Sequence, residues 1–196
     1  MATVSAAREN RRNSLLDAAI IVFGRLGFRK ASVDDLAEAA HISKQGLYLH
    51  FSSKEEIFVA AMQKYLDDGL ALVDHALSKA DAPLHERLVE AMDAWFGRHL
   101  VTFTPQSLDV IEAGNRLSPR ASSEYLDAFR KRVARAISGS AEFKKSGNVA
   151  TAREVTEVLS LCGLTWKEGR LSRAELRTRL SLCVRVVCQL GAKESR

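Results

Sequence analysis

Apolar and polar residues repeat along the chain at three- and four-residue intervals, the spacing of helices with one buried face. Over residues 13–27, Leu16, Ala19, Phe23 and Leu26 fall on one such face, and Gly27 follows where a left-handed residue closes a helix. Ser32 is then placed as an N-cap with Asp35 three residues on, a capping-box arrangement. The helix it opens, 33–40, is expected to bury Val33, Leu36, Ala37 and Ala40. A tight break at His41-Ile42 leads to Ser43, a second N-cap, and a short helix to about His50. Ser53 caps a third time with Glu56 as its box partner, and a long helix runs from Lys54 to about Leu77. Two short helices across a break of few residues, braced before and after by longer ones, make the helix-turn-helix pattern.

Beyond residue 80 the same periodicity predicts helices from Pro83 to about His99, from Pro105 to about Arg116, and over 119–138. The polar stretch 138–148 reads as a loop. Two last helices are expected at about 151–167 and 173–190. In the first, Val155, Leu159, Cys162 and Trp166 are spaced four, three, four. In the second, Leu176, Leu180, Cys183, Val187 and Leu190 repeat four, three, four, three. Each set forms a narrow apolar seam suited to a helix–helix interface, either within the chain's own core or with another subunit.

With three prolines, eleven glycines and 46% hydrophobic residues, the 196-residue chain has the composition of an all-α globular protein. No run of 18 apolar residues exists, so no membrane span is expected. The opening residues lack a hydrophobic signal core, which points to the cytoplasm. Charge adds less than it first offers. The formal net charge is +5, but residues 1–60 carry 8 basic and 7 acidic side chains, 61–127 carry 6 and 11, and 128–196 carry 15 and 6. The basic excess therefore lies in the last third, away from the helix-turn-helix, where it reads first as a solvated face.

Chemistry is concentrated on the second short helix. Leu47 and Phe51 face inward, leaving Lys44 with Tyr48 and Gln45 with Leu49 as outward pairs. Gln bonds adenine with both amide groups, Lys donates to guanine, and an exposed Leu49 meets a thymine methyl. Gly46 permits close backbone approach. Tyr48 and His50 are placed to donate to phosphates, as are Ser32 and Lys54 at helix starts, and Ser43, the N-cap, is counted with the DNA-binding set. Each residue alone could be an ordinary surface or half-buried side chain; the outward set as a whole calls for a partner.

Residues 12–62, above all GFRKASVDDLAEAAHISKQGLYLHFSSKEEIF, resemble the DNA-binding domain of TetR/AcrR-type transcriptional regulators. The elements that carry the resemblance are Gly27-Phe28, Ser32-Val33, Leu36-Ala37, Ile42-Ser43, Leu47-Tyr48, His50-Phe51 and Ser53-Lys54-Glu55. It implies a DNA-binding domain at 1–54 and a larger helical ligand-binding and dimerisation bundle at 55–196. It further implies a homodimer on a double-stranded DNA operator, released by a small-molecule effector, with Tyr48, Lys54 and Ser32 on phosphates and Lys44, Gln45 and Gly46 near bases. Where the family usually has glycine at the turn, this chain has His41, so either a positive φ costing about 1 kcal/mol or a slightly altered turn is expected there.

The rest of the chain is less specific. Trp95, Phe96, His99, Phe103, Glu112, Asn115, Tyr125, Phe129 and Trp166 are the candidates for a ligand pocket, with plain core as the alternative for each. Val155, Leu159, Cys162, Leu176, Leu180, Cys183 and Val187 are the candidates for a dimer interface. Five histidines show no metal spacing, and no catalytic motif or phosphate loop is present, so neither an enzyme nor a cofactor is expected. Cys162, Cys183 and Cys188 read as buried thiols, with a redox role as the alternative. The expected function is a ligand-responsive repressor. The alternatives are an activator of the same family, or a small-molecule-binding helical bundle with a vestigial DNA module.

Overall fold

A computed structural model describes residues 2–104, 107, 109–167 and 171–189. Among them every long element is a helix: α1 (Ala2–Leu26), α2 (Val33–Ala39), α3 (Lys44–Tyr48), α4 (Lys54–Leu77), α5 (Leu84–Met92), α6 (Arg98–Thr102), α7 (Asp109–Leu117), α8 (Ala121–Gly139), α9 (Ala141–Lys145), α10 (Ala152–Lys167) and α11 (Arg173–Cys188). Pro105 and Leu190, assigned to helices from the sequence, lie outside the described residues. None of these helices is long and apolar enough to cross a membrane.

The chain forms two compact units, Met1–Asp68 with Thr102–Ser123, and Gly69–Val101 with Glu124–Arg196. Ile57, Phe58, Ala61 and Tyr65 of α4, and Val110 and Ala113 of α7, belong to the first unit's core. At its centre Phe23, Phe28 and Phe58 pack with ring centroids 4.9–6.0 Å apart. Gly27 takes φ 83 and ends α1 in the expected left-handed turn. The buried face of α1 is Leu15, Leu16, Ala19, Ile20, Val22 and Phe23, while Leu26 points outward because the helix ends before another turn can bury it.

An acidic clamp holds α7 to the loop after α1. The Asp109 carboxylate accepts from the backbone N–H groups of Phe28 and Arg29 at 3.1 and 2.6 Å, and Glu112 pairs with the Arg29 guanidinium at 2.6 Å. This clamp brings residues 102–123 into the first unit.

The second unit buries Leu84, Leu88, Met92, Phe96, Phe129, Val133 and Ile137 against Val155, Leu159, Leu176, Leu180 and Val184. Between α5 and α6 lies one π-helical turn, Asp93–Gly97, in which Arg98 N–H donates to Asp93 O. Only glycine fits at Gly97, because a Cβ there would collide with the Asp93 carboxylate. That carboxylate is buried and takes a two-point contact from Arg173 at 2.9–3.0 Å and a third from Arg177 at 3.2 Å. The stretch 138–148 is not a plain loop: Ser140 accepts from Phe143 N–H and caps the short helix α9.

Candidate nucleic-acid interface

The helix-turn-helix is built from caps and one left-handed residue. Ser32 accepts from Asp35 N–H at 3.1 Å while the Asp35 carboxylate accepts from Ser32 N–H at 2.7 Å, which starts α2. Leu36 and Ala37 bury its inner face; Val33 and Ala40 are only half-buried. His41 has φ 54, the first of the two expectations where the resembling family has glycine. It reverses the chain while His41 and Ile42 N–H still donate to Glu38 O and Ala37 O, both at 3.0 Å. Ser43 accepts from Gly46 N–H at 3.0 Å and starts α3, and Leu47, fully buried, pins that helix to the core. The third cap differs in detail from expectation. Ser53 accepts from Glu56 N–H, but the Glu56 carboxylate returns to Ser52, at 2.6 Å from both its N–H and its hydroxyl.

With Leu47 and Phe51 inward, the outer face of α3 presents Lys44, Gln45, Tyr48 and Leu49, the last two 46% and 77% exposed. His50 is half-buried just beyond. Three of the expected contacts are altered by their neighbours. Lys44 Nζ lies 3.0 Å from Asp34, whose hydrogen bond and charge raise the lysine pKa, so any anion that Lys44 is to bind must compete with that carboxylate. Ser32 directs both its N–H and its hydroxyl to Asp35, leaving no donor for a phosphate unless the box opens. Lys54 Nζ donates to Phe28 O and Ala31 O, both at 3.0 Å, and lies 4.6 Å from the Phe28 ring centre. Two of its three hydrogens thus tie the loop before α2 to the start of α4.

The other candidate residues are divided between the two units. Trp95 stacks on Phe129 at 5.2 Å and Phe96 meets the same ring edge-on at 5.4 Å, with Phe96 and Phe129 buried as core of the second unit. His99, Tyr125 and Trp166 are half-buried in that unit. Phe103, Glu112 and Asn115 belong to the first unit, where Phe103 packs on Tyr65, Glu112 pairs with Arg29 and Asn115 is exposed. A cleft of about 520 Å³ does occur in the second unit, but it lies between α8 and α10. Arg130, Lys131, Arg153, Asp127 and Glu157 line it, and none of the nine expected residues does.

The seams need a correction as well. Val155, Leu159, Leu176 and Leu180 are at most 1% exposed and pack into the chain's own core, so they have no surface left for a partner. The buried stripe of α11 runs 176, 180, 184, 188, which turns Cys183 and Val187 to its half-buried edge; Cys162 lies at the edge of α10. The apolar surface that remains open is Val158 and Leu161 on α10 with Leu182 and Val186 on α11, between 44% and 65% exposed. Sequence reading passed over these four because the inner stripe used up the regular spacing. Their three- and four-residue separations off that stripe were the available signal. Among the described residues no group of three or more His, Cys, Asp or Glu is placed to hold a metal ion.

Capped helices around a left-handed turn, with a short helix displaying polar and apolar tips, define a helix-turn-helix protein. Residues 15–61 match the model of the bacterial regulatory proteins of the tetR family. Over this segment the chain is similar to that family. It is similar to the HTH-type transcriptional activator FasR of Mycolicibacterium smegmatis, 39% identical over 89 residues, which are 45% of this chain and 40% of that protein. It is also similar to the HTH-type transcriptional repressor KstR2 of Rhodococcus jostii, 39% identical over 64 residues, 33% of this chain and 31% of that one. The chain thus spans less than half the length of these curated relatives. Solved structures extend the likeness in fold. A TetR-like transcriptional regulator from Rhodococcus sp. RHA1 covers 90% of this chain and 95% of its own at TM-score 0.57 and 23% identity. The fatty acid degradation regulator FadR from Bacillus halodurans covers 95% and 97% at TM-score 0.64 and 16% identity.

Proposed function

We propose that this protein is a ligand-responsive transcriptional repressor that binds a near-palindromic double-stranded DNA operator as a homodimer. The observation that carries this reading is the outer face of α3, where Lys44, Gln45, Tyr48 and Leu49 stand exposed on a helix pinned by Leu47. Gln45 and Lys44 read base edges in the major groove, Gly46 lets the backbone close in, and Leu49 meets a thymine methyl. Tyr48 and His50 bind phosphates, together with the one Lys54 hydrogen not committed to a carbonyl. Ser43 holds the reading helix through its cap and contributes its first turn. Ser32 acts chiefly through its box with Asp35.

The homodimer is assigned to the outer faces of α10 and α11, where Val158, Leu161, Leu182 and Val186 offer apolar surface with no intrachain cover. A small-molecule effector among the helices of the second unit favours a conformer whose two readers no longer match the half-site spacing. It does so only through unequal affinity for the two conformers. Selection of bound duplexes from a random pool tests the DNA reading: an enriched palindrome supports it, and an unenriched pool overturns it. The name of FasR, an activator, favours a second reading of the regulatory sign. Deleting the gene separates the two, since target transcripts rise if it represses and fall if it activates.

A further inference from the structure

α10 and α11 pack against each other, and two cysteines meet between them. Cys183 Sγ–H donates to Cys162 Sγ across 3.7 Å. Both thiols are free and half-buried, and they come from positions 21 apart on different helices. Cys188, the third, is buried on the inner stripe of α11. A contact of 3.7 Å leaves roughly 1.7 Å to close before a bond of about 2.05 Å forms.

We propose that Cys162 and Cys183 form an oxidisable dithiol, a modification site at which a two-electron oxidant of the hydroperoxide class closes an intrachain disulfide between α10 and α11. With Cys183 keeping its proton in the hydrogen bond, Cys162 is the sulfur that attacks, giving up its own proton as it does so. Its sulfur takes one peroxide oxygen, the O–O bond breaks, and the departing hydroxide gains a proton to leave as water. Cys183 sulfur then attacks the resulting sulfenic acid: the S–S bond forms, the S–O bond breaks, and a second water carries off the Cys183 proton. Two thiols and one hydrogen peroxide thus give one disulfide and two waters; with an organic hydroperoxide the first water is replaced by its alcohol. Burial, and after it the hydrogen bond to Cys162, pushes the Cys183 thiol up to about 12, so it keeps the proton it donates. Such a pair reacts more slowly than an exposed low-pKa sensor thiol and answers sustained oxidant.

The proposal is independent of the DNA reading and is tested on the full chain. Reduced protein, freed of reductant, is treated with hydrogen peroxide and, in parallel, with diamide. Thiols are counted under denaturing conditions, and peptides are mapped without reduction. Free thiols should fall from three to one per chain. The chain mass should drop by about 2 Da for the two hydrogens lost, and the peptides bearing Cys162 and Cys183 should run linked until dithiothreitol parts them. Cys188→Ser should leave the linkage intact, whereas Cys162→Ser or Cys183→Ser should abolish it. Three surviving thiols, a link through Cys188, a link between chains, or conversion to sulfinic acid without a disulfide would overturn the proposal.

Discussion

The short helix α3 of the first unit and the π-helical turn of the second differ in how far apart in sequence their decisive contacts lie. In the first, the reading helix is set by bonds three residues long: Asp35 to Ser32, Gly46 to Ser43, Glu56 to Ser53. In the second, the decisive contacts span most of the unit. Asp93 meets Arg173 and Arg177 at separations of 80 and 84 residues, and His85 meets Ser181 at 96. Local bonds need only the right residue at the right step, so they form a recognisable string. Long-range bonds need two helices already packed, and many sequences satisfy them. Curated relatives accordingly match at 39% identity over 64–89 residues, while the whole-chain structural likeness holds at 16–23%.

The largest expected effect separates inner from outer stripe on α11. Leu180→Glu places a charge in a fully buried site and should abolish cooperative folding of the second unit, by more than about 4 kcal/mol. Loss of the near-ultraviolet signal of Trp95 and Trp166 checks it. Leu182→Glu, two residues on but 56% exposed, should leave the second unit folded, with its tryptophan signal intact, and convert dimer to monomer in sedimentation. A Leu182→Glu variant that stays dimeric would remove that face from the interface.

Within the reader, Tyr48→Ala should weaken operator and random DNA alike, by about 1–2 kcal/mol, and leave the salt dependence of binding unchanged, since the phenol is uncharged. Loss on operator alone would move Tyr48 from the phosphates to the bases. Ser43→Ala removes the cap of α3 and should cost about 1 kcal/mol in a chemical melt of the first unit. The same change at Ser138, whose hydroxyl only returns to Arg135 O, should cost less.

The smallest effect is one the units share. Hydrogen bonds from the Ser32, Ser52 and Ser172 hydroxyls, then from their N–H groups, hold Asp35, Glu56 and Glu175 below their ordinary pKa. For Glu154 the Thr151 N–H comes first and its hydroxyl second. A carboxylate with a lowered folded pKa stabilises fully above its unfolded value and loses that contribution as pH falls through the folded one. Both units should therefore weaken below about pH 4, at the unfolded carboxylate values, in melts recorded from neutral to acid pH. Stability that rises on acidification would contradict the assignment.

These contrasts also explain what could be read from sequence. The helix-turn-helix was legible because serine caps, the Gly27 stop and the His41 turn each act within a few residues. Lys54 was legible as a helix start but not as a clamp, since its acceptors at Phe28 and Ala31 lie 26 and 23 residues away. The seams of α10 and α11 were found, but periodicity cannot say what covers an apolar stripe. Packing assigned Val155, Leu159, Leu176 and Leu180 to the core and left Val158, Leu161, Leu182 and Val186 outside. The short helix α9 was missed because its cap, Ser140, stands among polar residues with little apolar period. The π-helical turn at Asp93 depends on arginines from the other end of the unit and has no local sign.

The central claim is that Gln45 on the outer face of α3 reads a base in each half of a symmetric operator. Selection of bound DNA from a random pool, run in parallel with the full chain and with its Gln45→Ala variant, tests it most directly. The account predicts a palindrome from the natural chain and, from the variant, the same palindrome with preference lost at one symmetry-related pair of positions. No palindrome from the natural chain, or an unchanged preference in the variant, would contradict it.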